Sequence, residues 1–327
     1  MCLLILAHDV HPHLPLVVAA NRDEFLDRPT APLAEWSDAP GVFAGRDLRA
    51  GGTWMGVTRS GRWAAVTNVR EPHDRPEAAS RDGFAAAADA SEDGGRRLSR
   101  GALVADYLRS TTAPADHLAA VAARARRYDG FNLLVGDTRG IWYLSNRVHQ
   151  PLAARGDPAA PEDPAAVGSA RSLQPPPRVR VQAGVAGPLA VPAGIHGLSN
   201  AGLDSPWPKL MRGRERLGTL VAGACAPSPA DALVEPLLAL LADRTVPLDR
   251  ELPDTGVGLA WERTLGSSFI VAEGYGTRSS TVLIRDGGGA LLLVERTFAH
   301  EPHDPPLAGL PVVSGERRLR IGPDQPA

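Results

Sequence analysis

The chain has little cysteine and no long apolar run. Its 327 residues include two cysteines, Cys2 and Cys225, which are too few for a disulfide framework and typical of a reducing compartment. No apolar run reaches the roughly 18 residues of a membrane helix. The short apolar stretch before His8 lacks the basic leader of a signal peptide. We therefore expect a cytoplasmic protein without a membrane span.

An excess of charge of either sign is also lacking. The formal net charge is −2, from 35 basic and 37 acidic residues. No basic field exists that would attract nucleic acid, so we expect no nucleic-acid partner. Lys209 is the single lysine, and the other basic residues in that sum are arginines. The hydrophobic fraction of 43% is ordinary for a globular protein, and a chain of this length can bury a large core.

The hydrophobic pattern predicts strands at both ends of the chain and helices among them. Cys2–His8 and residues 16–22 are apolar runs separated by a turn rich in His and Pro, and they predict a β-hairpin. Further strands are predicted at 42–47, 53–58, 62–68, 131–136, 141–145, 269–272, 279–285 and 291–297. Helices are predicted within 96–128, from Ser205 as N-cap to about 221, and over 228–243. Runs of strands followed by runs of helices favour a layered α+β fold.

Several common motifs are missing, and one segment has a biased composition. The sequence contains no phosphate loop, no HExxH and no CxxC. His8, His11 and His13 have no distant second group of ligands, so we predict no metal site and no bound cofactor. Residues 151–194 are rich in Pro, Gly and Ala, and we predict a loop or insertion there within one domain spanning 1–327.

Cys2 is the strongest candidate for a catalytic residue. Trimming of Met1 would leave Cys2 with a thiol and a free α-amine, which titrates at about 7.7–8.0. One residue would then supply both the nucleophile and the general base. The alternative is an inert cysteine in a buried first strand, and Cys2 considered alone favours that alternative.

The polar run Asn21-Arg22-Asp23-Glu24 strengthens the catalytic interpretation. If the hairpin pairs His8 with Leu16, Cys2 lies opposite Arg22, and a slip of one residue would place it opposite Asp23. Arg22 would favour the thiolate, and Asp23 would orient the ammonium form of the amine. Neighbouring strand residues point to opposite faces, so only one of the two shares a face with Cys2 unless the strand ends there.

Other polar residues also follow apolar runs. Asn68 and Asn200 are suitable donors to the oxyanion of an acyl intermediate, although each is also a common turn residue. Arg278 lies either on the surface or in a site, because a buried arginine needs a partner. Lys209 lies in the first turn of a predicted helix, where the helix dipole disfavours a positive charge. A specific role and chance explain the presence of a lone lysine there equally well.

Six short motifs resemble the NRDE-motif proteins of the Transport and Golgi Organisation family, from Met1 to about Thr297. The motifs are Met1-Cys2, Asn21-Arg22-Asp23-Glu24, Gly45-Arg46-Asp47, Gly52-Thr53-Trp54, Leu198-Ser199-Asn200 and Pro206-Trp207-Pro208-Lys209. That family is similar in turn to the N-terminal nucleophile hydrolases, especially the choloylglycine hydrolase and penicillin acylase group. The resemblance implies a four-layer αββα sandwich of mostly antiparallel sheets, with Cys2 at the end of a central strand.

The resemblance also implies roles for individual residues. Cys2 matches the nucleophile, Asp23 the carboxylate near the amine, and Arg22 the nearby arginine. Asn68 and Asn200 match the asparagines that bind the oxyanion and position the amine, and Arg278 matches the late-strand arginine. The predicted substrate-binding residues are Trp54, Trp207 and Lys209. Arg22 and Asp23 are adjacent here, whereas the hydrolase group separates the two, and this departure bears on both assignments.

Two hypotheses of different class follow. The first is a cysteine N-terminal nucleophile amidohydrolase that cleaves a linear amide of a small molecule through an acyl-enzyme on Cys2. Transfer of the acyl group to an amine instead of water is a variant of this hypothesis, and the sequence does not distinguish it from hydrolysis. The second is a non-catalytic haem or acyl-lipid carrier, because roles in secretory organisation, lipid homeostasis and haem trafficking are proposed for eukaryotic members. Cys2 or a nearby histidine would then bind the iron. The sequence leaves open whether the chain forms a homo-oligomer.

Overall fold

The computed structural model describes residues 2–71, 97–151, 179–224, 229–300 and 311–322. The strands in these ranges are β1 (Cys2–His8), β2 (Leu16–Phe25), β3 (Thr30–Trp36), β4 (Ala39–Asp47), β5 (Met55–Thr58), β6 (Trp63–Asn68), β7 (Phe131–Gly136), β8 (Ile141–Pro151), β9 (Val179–Val191), β10 (Gly194–Leu198), β11 (Val271–Ala272), β12 (Tyr275–Arg285), β13 (Leu291–Ala299) and β14 (Val312–Ile321). The helices are α1 (Arg100–Arg109), α2 (Pro114–Ala123), α3 (Pro208–Ala222), α4 (Pro229–Leu241) and α5 (Leu259–Thr264). No helix in the described ranges is both long enough and apolar enough to cross a bilayer.

The strands form two antiparallel sheets. Sheet 1 has the order β10-β1-β2-β12-β13-β14, with the short β11 paired to β12, and sheet 2 runs from β3 to β9 in chain order. Because sheet 2 follows the chain, its strands are joined as a meander. Sheet 1 instead collects strands from both ends of the sequence, so that β2 lies beside β12. The active-site candidates at both ends of the chain therefore meet in sheet 1.

The alternating side chains of β1 show how the layers are stacked. Leu3 and Ile5 pack against the apolar faces of α3 and α4, whereas Leu4 and Leu6 pack against sheet 2. A third cluster joins the outer face of sheet 2 to α1 and α2. Burying a Leu or Ile side chain contributes roughly 1.5–3 kcal/mol, so the three clusters hold four layers together. The predicted α+β, four-layer αββα sandwich is confirmed.

The register of the first hairpin is one of the two that the sequence left open. His8 pairs with Leu16, and Cys2 lies directly opposite Arg22. The two strands are almost entirely buried, and a slip by one residue would turn every apolar side chain to the wrong face. This fixes which residues of β2 lie beside Cys2.

Two predictions about loops and helix ends differ from the structure. Part of the predicted loop at 151–194 lies outside the described residues, but 179–191 form β9, which pairs with β8 in a long hairpin. Ser205 is not the N-cap of α3, because its hydroxyl donates to the Gly202 carbonyl instead. Trp207 is the N-cap and keeps an extended backbone, since a residue that precedes proline disfavours the helical conformation.

Three of the observed strands have weak sequence signals. The strands β3 and β9 are the edges of sheet 2, and β14 is an edge of sheet 1. The side chains of β14 are mostly exposed, and β3 buries only Leu33 and Trp36. An edge strand with little buried surface lacks the apolar pattern on which prediction depends.

Candidate functional site

Cys2 and Arg22 lie on the same face of sheet 1, and Asp23 lies on the other. The inter-sheet cluster contains Leu4 of β1 and Ala20 of β2. By alternation, Cys2 and Arg22 also face sheet 2, whereas Asp23 faces the helices α3 and α4. The strand β2 continues to Phe25 without a break. Only one of Arg22 and Asp23 therefore shares the face of Cys2, as expected from the sequence, and that residue is Arg22.

Arg22 is held between an aromatic ring and a carboxylate. Its guanidinium carbon lies 4.4 Å from the centroid of the Trp54 ring, and its Nη2 lies 3.7 Å from Glu24 Oε2. The side chain is only 4% exposed, and its Nη1 has no hydrogen-bond partner among the described residues. A buried positive charge with an unused N–H beside a cysteine is suited to hold a thiolate or an acyl oxygen.

The glycine motifs build the platform for Trp54. A Cβ at Gly45 would lie 2.3 Å from the Trp54 ring, and a Cβ at Gly52 would lie 2.4 Å from the carbonyl carbon of Gly101 at the start of α1. Asp47 closes the turn between them by accepting the backbone N–H of Arg49. These residues therefore place the indole over Arg22 and act on the site through it.

Asp23 is a buried carboxylate with a defined hydrogen bond. Thr277 Oγ1 lies 2.7 Å from Asp23 Oδ1, and the same hydroxyl oxygen accepts the Ile270 N–H at 2.9 Å. Because that lone pair is occupied, the hydroxyl hydrogen points to Asp23. Burial raises the pKa of Asp23 to about 6, against the opposing influence of the charged amino terminus first and then of Lys209, Thr277 and Arg22. The carboxylate is therefore ionised at neutral pH but takes up a proton readily.

Cys2 is half-buried, and burial raises the pKa of its thiol. The Asp23 carboxylate acts in the same direction, whereas the Arg22 guanidinium and the backbone N–H of Asp23 oppose it. The Cys2 carbonyl accepts a hydrogen bond from Ser199 Oγ at 3.0 Å. Cys2 thus rests as a thiol, and its backbone is fixed to the end of β10.

Asn200 and Asn68 lie together at one end of the site. Asn200 Nδ2 donates to the backbone carbonyl of Asn68 at 2.9 Å, and its Oδ1 accepts from the Ser199 hydroxyl, which also reaches Cys2. Asn200 is buried, whereas Asn68 is partly exposed at the end of β6. The Asn200 amide therefore joins the ends of β1, β6 and β10.

Arg278 lies one strand away, at a bulge in β12 beside the Thr277 position. Its Nη1 donates to three backbone carbonyls of the turn between β2 and β3, at 2.9–3.1 Å. Burial, and next the neighbouring Arg22, lower the pKa of Arg278. Its hydrogen bonds hold the turn after the NRDE motif, and no contact in the described residues joins it to Cys2.

Lys209 and Trp207 lie behind Asp23, on the helix side of sheet 1. Lys209 is 3% exposed, and its Nζ donates to the Leu265 carbonyl at 2.9 Å. Burial, followed by the nearby Arg70, lowers the pKa of Lys209 to about 8. Both residues line a small crevice, partly open to solvent, together with Arg70.

Four residues of this region were not predicted from the sequence. Arg70 and Glu262 form a buried ion pair, with Arg70 stacked on Trp207. Burial raises the pKa of the Tyr275 phenol well above its usual range, and the charges of Asp23 and Glu24 add to this effect. Thr277 orients Asp23. The chain is rich in arginine and acidic residues, so nothing in its sequence distinguishes Arg70 or Glu262 from surface charges.

The histidines near the first turn do not assemble into a metal site. His11 and His13 contact each other edge to face at 5.8 Å. In the part of the chain that the structure describes, no three His, Cys, Asp or Glu side chains come together so as to hold a metal ion.

Comparison with known proteins gives consistent matches along most of the chain. Residues 1–300 match the family described as Transport and Golgi organisation 2. The chain is 29% identical over 317 residues to the Transport and Golgi organization protein 2 homolog of Bos taurus, and 27% identical over 312 residues to the homolog of Mus musculus; each match covers 91% of this chain and 93% of the relative. Among solved structures, an N-acylethanolamine-hydrolyzing acid amidase ortholog of Caenorhabditis elegans has a TM-score of 0.42 at 9% identity, covering 86% of this chain and 92% of that one.

Proposed function

The chain belongs to the Transport and Golgi organisation 2 family, and from that premise and the geometry at the amino end of β1 we propose that it is a cysteine N-terminal nucleophile amidohydrolase. Its substrate is a small molecule with a linear amide bond. The observation that carries the proposal is the position of Cys2, opposite the buried Arg22 and next to the buried Asp23.

The reaction proceeds through an acyl-enzyme. Removal of Met1 leaves Cys2 with a thiol and a free α-amine, and the amine takes the thiol proton as sulfur attacks the amide carbonyl carbon. The carbonyl electron pair moves to oxygen, the C–N bond then breaks, and the ammonium returns the proton to the leaving nitrogen. A water molecule, deprotonated by the same amine, attacks the thioester and releases the acid and the free thiol.

The environment of Cys2 supports this use of the amine. A thiol whose pKa is raised by burial is a poor nucleophile until a base takes its proton. An α-amine with a pKa of about 7.7–8.0 is such a base at neutral pH. Asp23, ionised above pH 6 and facing away from the thiol, orients the ammonium form, and Arg22 on the thiol face stabilises negative charge on sulfur or oxygen.

The oxyanion is stabilised by amide N–H groups from Asn68 and Asn200. The Asn200 amide carries two N–H bonds, and its hydrogen bond to the Asn68 carbonyl uses one of them. Asn68 is partly exposed at the end of β6. Preorganised donors of this type each contribute about 2.7–4 kcal/mol to stabilising an acyl-transfer transition state.

The test uses a β-lactone, which acylates a nucleophilic cysteine by ring opening and needs no knowledge of the substrate. Intact mass of the full chain should show loss of Met1, and peptide mapping should show the acyl group on Cys2 after treatment. A variant with one glycine inserted between Met1 and Cys2 keeps the thiol but loses its α-amine, so its acylation should fall to the rate of an ordinary thiol. The Cys225→Ser variant serves as the matched control and should be acylated like the wild type.

Two results would contradict the proposal. Retention of Met1 in the mature chain removes the base, and equal acylation of the glycine-insertion variant shows that the α-amine plays no part. Titration with haemin addresses the carrier hypothesis: an absorbance change that the Cys2→Ala variant loses would assign Cys2 to iron binding instead.

A further inference from the structure

We propose that Asn132 is a positioning residue of the candidate site: its buried carboxamide holds the site turn, residues 199–201, and so places the Asn200 amide beside Cys2. Asn132 lies near the start of β7 in sheet 2 and belongs to none of the six motifs that resemble the family. The effect on catalysis rests on the proposed function, whereas the hydrogen bonds that hold the turn do not.

The site turn is bonded to sheet 2 and to the segment after β6 through its main chain. All three of its backbone carbonyls accept a hydrogen bond. The donors to the carbonyls of residues 199, 200 and 201 are, in order, Thr67 Oγ1 at 2.6 Å, the Arg70 N–H at 2.8 Å and Asn132 Nδ2 at 2.8 Å. Two of the three donors are side chains, so the position of the turn depends on residue type as well as on the backbone.

The orientation of the Asn132 carboxamide is fixed by its partners. Its Nδ2 faces the Ala201 carbonyl, which can only accept, and its Oδ1 accepts the Tyr143 hydroxyl at 2.8 Å. Nδ2 also donates to Thr67 Oγ1 at 3.1 Å. Thr67 therefore donates its own hydrogen to the Ser199 carbonyl. One carboxamide thus directs both of the side-chain donors toward the turn.

These polar groups are enclosed between the two sheets. Asn132 is fully buried, and Thr67 and Tyr143 are 2% and 5% exposed. Thr67 pairs with Asn132 across β6 and β7, and Tyr143 reaches Asn132 diagonally from β8, where it pairs with Leu134. Because the group is buried, removal of one donor leaves a carbonyl unsatisfied and favours displacement of the turn.

The site turn carries two side chains that contact the ends of β1 and β6. Ser199 Oγ donates to the Cys2 carbonyl at 3.0 Å, and Asn200 Nδ2 donates to the Asn68 carbonyl at 2.9 Å. The second N–H of the Asn200 amide is an oxyanion donor of the proposed reaction. Such a donor acts only when it lies about 2.7–3.1 Å from the oxyanion, so a displacement of the turn by about 1 Å removes its contribution.

The experiment compares the wild type with Asn132→Leu in two reactions of Cys2. Ring opening of a β-lactone passes through an oxyanion, whereas iodoacetamide loses iodide from a saturated carbon and forms none. We expect acylation to slow about tenfold or more and alkylation to change less than about twofold. The matched control Asn146→Leu removes a buried carboxamide that donates to the Ala125 and Tyr128 carbonyls on the other face of sheet 2. It should change both rates by less than about twofold.

A second readout follows the turn itself. The Arg70 N–H donates to the Asn200 carbonyl, whereas the neighbouring Val69 N–H donates to a carbonyl outside the turn. Hydrogen exchange of the Arg70 amide relative to that of Val69, measured by NMR, should rise about tenfold in Asn132→Leu and should not rise in Asn146→Leu. The ratio corrects for a general loss of stability, since such a loss speeds exchange at both amides.

The outcomes separate this inference from the proposed function. An unchanged exchange ratio, or equal slowing of acylation and alkylation, overturns the positioning role. Equal acylation of Cys2 in the wild type and in Asn132→Leu also overturns it and leaves the proposed function intact. If wild-type Cys2 is not acylated although the ratio rises, the proposed function fails, while the hydrogen bonds of Asn132 to the turn are supported.

A second pair of variants covers the case in which Asn132→Leu does not fold. Thr67→Val removes the hydroxyl that bonds the Ser199 carbonyl and changes the shape of the side chain little. It should slow acylation about tenfold and leave alkylation within about twofold. Thr67→Ser keeps the hydroxyl and should restore acylation. Equal acylation of these two variants overturns the proposal.

Discussion

The buried carboxylate of Asp23 should make the stability of the protein depend on pH in a defined direction. Burial raises the pKa of Asp23 from its ordinary value of 3.8 to about 6. Between these two values the folded state binds a proton that the unfolded state has released. The contribution of Asp23 to stability is therefore highest below pH 4 and is lost as the pH rises through 6, which is the reverse of the usual behaviour of a salt-bridged aspartate.

The size of the effect follows from the two pKa values. A difference of this size corresponds to about 3 kcal/mol, at 1.36 kcal/mol for each pKa unit. The side chain is only 2% exposed, so solvent screening reduces this value little. Asp23→Asn removes the titration but keeps an oxygen that can accept the Thr277 hydroxyl, and it is therefore the appropriate reference.

The assay is urea denaturation of the wild type and of Asp23→Asn at half-unit steps from pH 4 to pH 7. The free energy of unfolding of the wild type minus that of the variant should fall by about 2.4 kcal/mol across this range, because Asp23 of the unfolded chain is already more than half ionised at pH 4. The range ends at pH 7 because Lys209, with a pKa of about 8, titrates above it. A difference that stays level, or one that rises with pH, would refute the reasoning.

Two further substitutions test the structure around the site. Glu262→Gln removes the anion that pairs with the buried Arg70 guanidinium, so we expect the free energy of unfolding to fall by about 3–5 kcal/mol in denaturation experiments. The control Glu215→Gln, at an exposed position, should change it by less than about 0.5 kcal/mol. An equally small effect of Glu262→Gln would contradict the ion pair. Gly52→Ala forces a Cβ to within 2.4 Å of the Gly101 backbone, and we expect a loss of about 1–3 kcal/mol with a change in tryptophan fluorescence. The control Gly218→Ala, whose Cβ would be 3.9 Å from Ile195, should be neutral or stabilising by up to about 1 kcal/mol. If Gly52→Ala behaved in the same way, the close contact between Gly52 and the Gly101 backbone would be refuted as the reason for a glycine at position 52.

The candidate site residues around Cys2 lie on both faces of sheet 1. The face toward sheet 2 carries the thiol and Arg22, whose guanidinium lies over the Trp54 ring. The face toward the helices carries Asp23 and, behind it, Lys209. Adjacent residues of one strand thus serve opposite faces, because side chains in a strand alternate. This geometry accommodates the adjacency of Arg22 and Asp23 that departs from the hydrolase pattern.

Local pattern was sufficient to predict the first hairpin but left two registers open. The apolar runs around the turn from Asp9 to Pro15 bury both faces, and the structure selects the register that pairs Cys2 with Arg22. The layered α+β order could also be predicted, since apolar periodicity changes from strand to helix along the chain. Edge strands such as β14, which bury little surface, could not.

The roles of the polar residues depended on contacts between distant parts of the chain. The sequence by itself determined that a cysteine begins the first strand, that Arg22 or Asp23 lies opposite it, and that one lysine is present among many arginines. Only the tertiary structure decided that Arg70 meets Glu262, 192 residues away, that Arg278 holds a turn, and that Lys209 is buried. The physical reason is that alternation and turn chemistry act over a few residues, whereas the charge balance of a buried site exists only after layers from the whole chain have packed together.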